Sequence, residues 1–234
     1  MRLIFVRHGE PDYVNDCLTE NGVVQAKSTA ERLKKEPIRA IYSSPMGRAK
    51  QTASYTAEDH GLDINVLDFM HEINWGITDE KKDLGELKYE GHPWSLANDL
   101  LEECPEYVGS FDWDKHPYFA DNKCTAYYHM ISEKIDGFLE QFGLERNDGS
   151  YFCRKACDDT IALFSHGGSG AVVLSHVFSL PFPFVLASLP YGVCSVTVIE
   201  FPSREGEQVI PRFELFNDMG HIDNLKKEKL HFEK

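Results

Sequence analysis

Apolar residues fall in short runs along this chain, and most runs end in turn residues. Leu3-Ile4-Phe5-Val6 gives way at once to Arg7-His8-Gly9. Ile38-Arg39-Ala40-Ile41-Tyr42 stops at Ser43-Ser44-Pro45, and Thr160-Ile161-Ala162-Leu163-Phe164 stops at Ser165-His166-Gly167-Gly168. Segments starting at Asp63 (DINVLDF), Val193 (VCSVTVIEF) and Arg212 (RFELF) have the same character. Such short runs, rich in β-branched and aromatic residues, predict strands. Helical spacing appears between them. Thr19 is a good N-cap before a segment that puts Val23, Ala26, Ala30 and Leu33 on one face. Ser44-Pro45 predicts an N-cap followed by a first-turn proline, opening a helix from Met46 to Ala57. Gly167 to Gly170 leads into AVVLSHVFSL, another helical segment. Strands alternating with helices predict an α/β fold, three layers α/β/α around a mainly parallel central sheet.

The rhythm breaks between residues 76 and 128. This stretch contains Trp94, Phe111, Trp113, Tyr118 and Phe119 but no good strand run. Residues 76–125 carry twelve acids against five lysines. The expectation is one domain over residues 1–234 with an acidic, largely helical insertion at 76–128, placed as a lid over a site.

Composition narrows the partners. The 234 residues are 42% hydrophobic and carry a net charge of −14, which argues against nucleic acid and anionic membranes as partners. Pro181, Pro183 and Pro190 interrupt the longest uncharged stretch, so no spanning helix is expected. The apolar run after Met1-Arg2 is too short for a leader. The six cysteines form no C-x-x-C pair and read as free thiols of a reducing compartment, so the cytoplasm is the expected location. The late strand offers an exposed edge for a homodimer.

Ligand sites in open α/β sheets lie beyond the carboxyl ends of the strands. The first strand delivers Arg7 and His8 there, the second leads to Arg48, and another delivers His166. Glu72 follows DINVLDF. Taken singly, each has a structural explanation. Together they suit phosphoryl transfer: two guanidinium forks hold a phosphate, and their charge keeps His8 neutral and nucleophilic. Helix starts after Ser44 and at Gly167 are expected to add backbone donors to the anion.

VRHGE after an N-terminal strand, with SSPMGRAKQTA, HEINWG, FSHGG and FNDMGHI, resembles the histidine phosphatase superfamily, in its phosphoglycerate-mutase-like branch. RHGEPDYVNDCLTENGVVQA looks like the short-loop phosphatases of that branch, including those similar to α-ribazole phosphatases. The matched segments run from Leu3 to Ile222. The resemblance implies a phosphoglycerate-mutase-like fold and hydrolysis of a small phosphorylated metabolite. It makes His8 the phosphoryl acceptor, Arg7, Arg48 and His166 the binders of the phosphoryl oxygens, and Glu72 the acid and base. Asn15 and Thr19 would reach the phosphate from their loop. No metal or cofactor is implied. The loop from Glu10 to Leu18 is shorter than in the mutases, and the residues after Gly76 depart from the usual tryptophan-and-glycine continuation.

Four other readings have a basis in the residues. A mutase needs extra basic residues in the lid, where acids dominate. A serine esterase would use Ser169 in a near nucleophile elbow, with Asp218 and His221 following in order. A metal hydrolase lacks the second histidine after His71-Glu72. A non-catalytic phosphate-binding module would not need both a nucleophile and an acid.

Overall fold

The computed structural model describes residues 1–78, 88–202 and 204–222. Its central sheet has six strands: β1 (Arg2–Arg7), β2 (Ile38–Ser43), β3 (Ile64–Val66), β4 (Thr160–Ser165), β5 (Val196–Glu200) and β6 (Arg212–Asp218). They lie in the order β6-β5-β1-β4-β2-β3. The pairs β1–β4, β4–β2 and β2–β3 are parallel, whereas β5 runs antiparallel to both β1 and β6.

β4 sits inside the sheet with all six residues buried. The two-residue period of a strand then sorts its side chains to two faces. Leu3, Phe5, Ile161 and Leu163 enter the larger core cluster. Ile4, Val6, Ala162 and Phe164 enter a second cluster, under helices α1 (Glu20–Leu33) and α2 (Gly47–His60). The larger cluster is closed by α3 (Pro93–Glu103), α4 (Lys123–Glu140), α5 (Gly167–Val177) and α6 (Phe182–Ser188). These are the three layers expected.

Thr19 caps α1 as its type predicts, its Oγ1 accepting from the Gly22 N–H at 3.0 Å. The buried face of α1 includes Gly22, Gln25 and Thr29 besides Ala26, Ala30 and Leu33, with Val23 only half-buried. Gly22 turns inward because the Glu10 backbone crosses it; a Cβ there would stand 2.2 Å from the Glu10 carbonyl oxygen. α2 starts later than Ser44-Pro45 suggests, at Gly47, and Met46 caps it with no side-chain bond. β3 is shorter than the run from Asp63, since Asp68–Met70 turns into a 3₁₀ helix. A small antiparallel ribbon, Leu144–Asn147, Ser150–Cys153 and Gln208–Val209, was not expected from the apolar runs.

Between residues 88 and 122 the described chain is helical: α3, several 3₁₀ turns and the short helix Pro117–Ala120. The expected insertion boundary at 128 falls inside α4. Leu96, Leu100, Trp113 and Phe119 are buried in the same cluster as β1 and β4, so this segment shares the main core. All six cysteines are unbridged. Among the described residues, no helix is long and apolar enough to cross a membrane.

Candidate active site

The carboxyl ends of β1 and β4 set two histidines side by side. The strands pair Arg7 with Ser165, and the ladder continues as the His8 N–H donates to the Ser165 carbonyl at 2.9 Å. His8 and His166 are buried, with ring centroids 5.0 Å apart.

Hydrogen bonds fix the tautomer of each ring. His8 Nδ1 lies 2.7 Å from the Gly9 carbonyl oxygen, which can only accept, so the ring proton sits on Nδ1. That leaves the Nε2 lone pair to face Arg48, whose Nε–H points at it from 3.3 Å. His166 Nε2 is 2.7 Å from Ser44 Oγ, and Ser44 Oγ already accepts from the Met46 N–H at 3.2 Å. Ser44 is buried, and among the described residues His166 Nε2 is the one acceptor within reach of its hydroxyl hydrogen, so the hydroxyl donates to Nε2 and the His166 proton sits on Nδ1. Nδ1 is buried without a hydrogen-bond partner among the described residues. A buried donor of this kind calls for an acceptor, and a phosphoryl oxygen meets the need.

Charge and burial keep both rings neutral. Burial first, then the Arg7 charge, push His8 down to about 3, with Arg48 adding to the effect and the Gly9 bond opposing it. Burial, then His8, Arg48 and Arg7, hold His166 well below its ordinary range. An unfolded chain takes up protons on both imidazoles below about pH 6.5, and the native chain does not. The native state is therefore expected to lose stability as pH falls from 6.5 toward 4.5. Each imidazole contributes a slope of up to about 1.4 kcal/mol per pH unit. Urea unfolding of wild type and His8→Gln across that range checks this: the variant's slope should be flatter.

The two arginines are held from opposite sides. Arg7 Nη1 donates to the Tyr191 carbonyl at 3.0 Å. Arg48 Nη1 donates to Asp16 Oδ1 at 2.6 Å, and the other oxygen of Asp16 accepts from the Gly47 N–H at 2.6 Å. Burial pulls the Asp16 carboxyl upward, but Gly47 and Arg48 together hold it below the ordinary carboxylate range. Arg48 thus reaches His8 and Asp16 with two different nitrogens. A lysine has one nitrogen and cannot span both. Arg48→Lys is expected to lower kcat by about 10²-fold, the cost of one preorganised donor to a developing oxyanion; steady-state kinetics would check it.

Glu72 bridges to the start of α5. Its Oε1 accepts from the N–H groups of Gly168 at 2.9 Å, Ser169 at 3.0 Å and Ile73 at 2.9 Å. Gly168 has no room for a side chain, since a Cβ would meet Ile73 and Glu72 within 2.6 Å. This corrects one expectation. The Gly168 and Ser169 donors at the α5 terminus go to the Glu72 carboxylate, and the Gly47 donor of α2 goes to Asp16. A fixed carboxylate satisfies a helix N-terminus as an anion would.

Arg7, Glu72 and Gly167 line a cavity of about 390 Å³; His8, Arg48 and His166 are not part of its lining, and Arg7, the neighbour of His8 in the chain, links the two. Asn15 is exposed and its amide donates to Asp12 at 2.7 Å. Thr19 is engaged with Gly22 and with Glu10. The structure brings neither side chain to the histidine pair. His71 is a half-buried neighbour whose Nδ1 lies 3.0 Å from the Glu72 carbonyl.

The serine-esterase grouping does not assemble. Ser169 is buried, 2.8 Å from Ser165 Oγ, while His221 Nε2 contacts Thr29 and Asp218 pairs with Arg32. The closing motif braces the site instead: Asn217 Oδ1 accepts from the Gly192 N–H at 3.0 Å, next to Tyr191. Asp16, Ser44 as a partner of His166, and Tyr191 are site residues that no sequence pattern marked. Among the described residues, no group of three or more His, Cys, Asp or Glu is disposed to hold a metal ion.

The family model of the histidine phosphatase superfamily (branch 1) matches residues 3–212. Phosphoserine phosphatase 1 of Hydrogenobacter thermophilus is 28% identical over 152 residues, which cover 60% of this chain and 64% of that one. The chain thus spans just under two thirds of that relative's length. Among solved structures, a phosphoserine phosphatase mutant of Entamoeba histolytica in complex with phosphoserine aligns with a TM-score of 0.62 at 21% identity, over 94% of this chain and 98% of that one. The α-ribazole phosphatase of Shigella flexneri aligns with a TM-score of 0.59 at 17% identity, over 93% and 96%. The two structural matches establish a common fold.

Proposed function

The chain belongs to the histidine phosphatase superfamily (branch 1), and from that premise we propose that it hydrolyses small phosphomonoesters through a phosphohistidine at His8. The observation that carries this reading is the His8 ring itself: neutral, with its proton held on Nδ1 by Gly9, and its Nε2 lone pair facing Arg48. Nε2 attacks phosphorus and forms the N–P bond as the ester P–O bond breaks. Glu72, protonated as the phosphoryl dianion binds and with Oε1 keeping its bonds to the α5 N–H groups, gives its proton to the leaving oxygen. Water then gives a proton back to Glu72 and attacks phosphorus, the N–P bond breaks, its electron pair returns to Nε2, and orthophosphate leaves. Arg7, Arg48 and the Nδ1–H of His166 meet the charge on the equatorial oxygens.

Hydrolysis is favoured over a mutase reaction. A mutase must seat a second anionic group of its substrate, and among the described residues Arg7 is the one lysine or arginine lining the cavity. A cytoplasmic setting fits the six unbridged thiols. The test is a screen of phosphorylated metabolites, measuring orthophosphate release in EDTA. Turnover that persists in EDTA is expected. Turnover abolished by EDTA and restored by a divalent metal would overturn the reading.

A further inference from the structure

The cavity lining is mostly apolar. Arg7 and Glu72 account for its charged carboxyl and guanidinium groups. Val185, Leu186, Leu189 and Pro190, from α6 and the turn after it, make one wall, with Ala171 of α5 beside them. Trp75, His92 and Trp94 make an aromatic part of the lining. His92 lies between two indoles, its ring centroid 5.1 Å from Trp75 and 5.3 Å from Trp94.

The aromatic wall is held by backbone. Gly76 and Gly91 both take positive φ, at 95° and 75°, and a Cβ on Gly91 would stand 3.1 Å from the Gly76 Cα. This close approach joins the chain carrying Trp75 to the chain carrying His92 and Trp94. Asn122 ties the junction down, donating to the Gly91 carbonyl at 2.8 Å, while the Lys123 N–H donates to the Gly76 carbonyl at 2.8 Å. Trp113, by contrast, is core, packed against Phe119, Tyr128 and Phe182.

We propose that this chamber selects phosphomonoesters of apolar, ring-bearing alcohols and disfavours esters whose alcohol carries a carboxylate. The proposal rests on the phosphatase reading for its orientation: phosphoryl group at His8, leaving group against the aromatic and aliphatic lining. A ring seated there stacks on Trp94 or Trp75 and removes apolar wall from water. A carboxylate seated there gives up hydration, and among the described residues Arg7, already engaged with the phosphoryl group and Tyr191, is the one fixed cation on the lining. A volume of about 390 Å³ suits a single ring beyond the phosphoryl group.

The experiment compares phenethyl phosphate with O-phosphoserine and 3-phosphoglycerate. All are esters of primary alcohols, so the leaving group's chemistry is comparable. Wild type is expected to favour phenethyl phosphate over each of the others by at least about tenfold in kcat/KM. Trp94→Ala should cut that ratio by about tenfold, the scale of one stacked ring. Binding is read separately with the phosphonates isosteric to phenethyl phosphate and phosphoserine, which cannot be hydrolysed; the phenyl compound should bind tighter. A preference for phosphoserine or 3-phosphoglycerate overturns the proposal, as does a ratio unchanged in Trp94→Ala. Tighter binding of the phenyl phosphonate by a chain that hydrolyses none of the esters upholds the chamber's selectivity and sinks the phosphatase reading alone.

Discussion

His8→Ala is expected to lose at least about 10³-fold in kcat/KM on every phosphomonoester tested. The imidazole is the atom source for the first bond formed, and no neighbour replaces it. His166 cannot serve, because its Nε2 receives the Ser44 hydroxyl and its Nδ1 carries the proton. Ser169 cannot serve, because it is buried and bonded to Ser165. Arg7 and Arg48 remain in the variant: Tyr191 still holds Arg7, and Asp16 still holds Arg48 after its bond to the imidazole is lost. Orthophosphate should therefore still bind, which isothermal titration measures. His8→Gln fills the same buried space and guards against a folding defect. Circular dichroism and thermal melts of both variants separate lost chemistry from lost structure.

Glu72→Gln is expected to lower kcat by about 10²- to 10⁴-fold on alkyl phosphates. The amide oxygen of glutamine can still accept from Gly168 and Ser169, so the cap of α5 survives while the transferable proton is gone. The loss should shrink sharply for aryl phosphates with acidic phenols, which depart without protonation. That contrast separates an acid from a residue that merely caps a helix. An equal loss on both substrate types would assign Glu72 a structural role. A loss confined to KM would assign it to binding.

Much of the scaffold was legible because its cause is local. The alternation in Leu3–Val6 and Ile161–Phe164 sorts side chains to two core faces without help from elsewhere. Thr19 caps α1 through a residue three positions away. Arg7, His8 and His166 stood out because charged or titratable side chains at the ends of buried strands have few structural uses, and Arg48 and Glu72 because they fall at neighbouring helix and strand ends.

What stayed hidden depends on pairings across the chain. Asp16 meets Gly47 across 31 positions, and Glu72 meets Gly168 across 96. No local pattern tells that carboxylates, and not the substrate, occupy those helix termini. Asp16 adopts a φ of 48°, in a loop whose polar residues all looked alike. Asn15, one position earlier, turns to Asp12. Tyr191 acts through its carbonyl, which side-chain chemistry does not advertise. The ribbon at 144–153 did have a signal. Asp148-Gly149 is a hairpin turn pair, with Asp148 at a φ of 50°, but the flanking strands are short and mixed in polarity.

The central claim is that His8 carries the phosphoryl group between the two halves of the reaction. Rapid mixing with a saturating phosphomonoester, an alkaline quench and peptide mass spectrometry test it directly, since phosphohistidine survives base. A phosphoryl group on the peptide containing His8, formed within one turnover and absent from His8→Ala, is the predicted result. Phosphate release with no label at His8, or with the label on another residue, would contradict it.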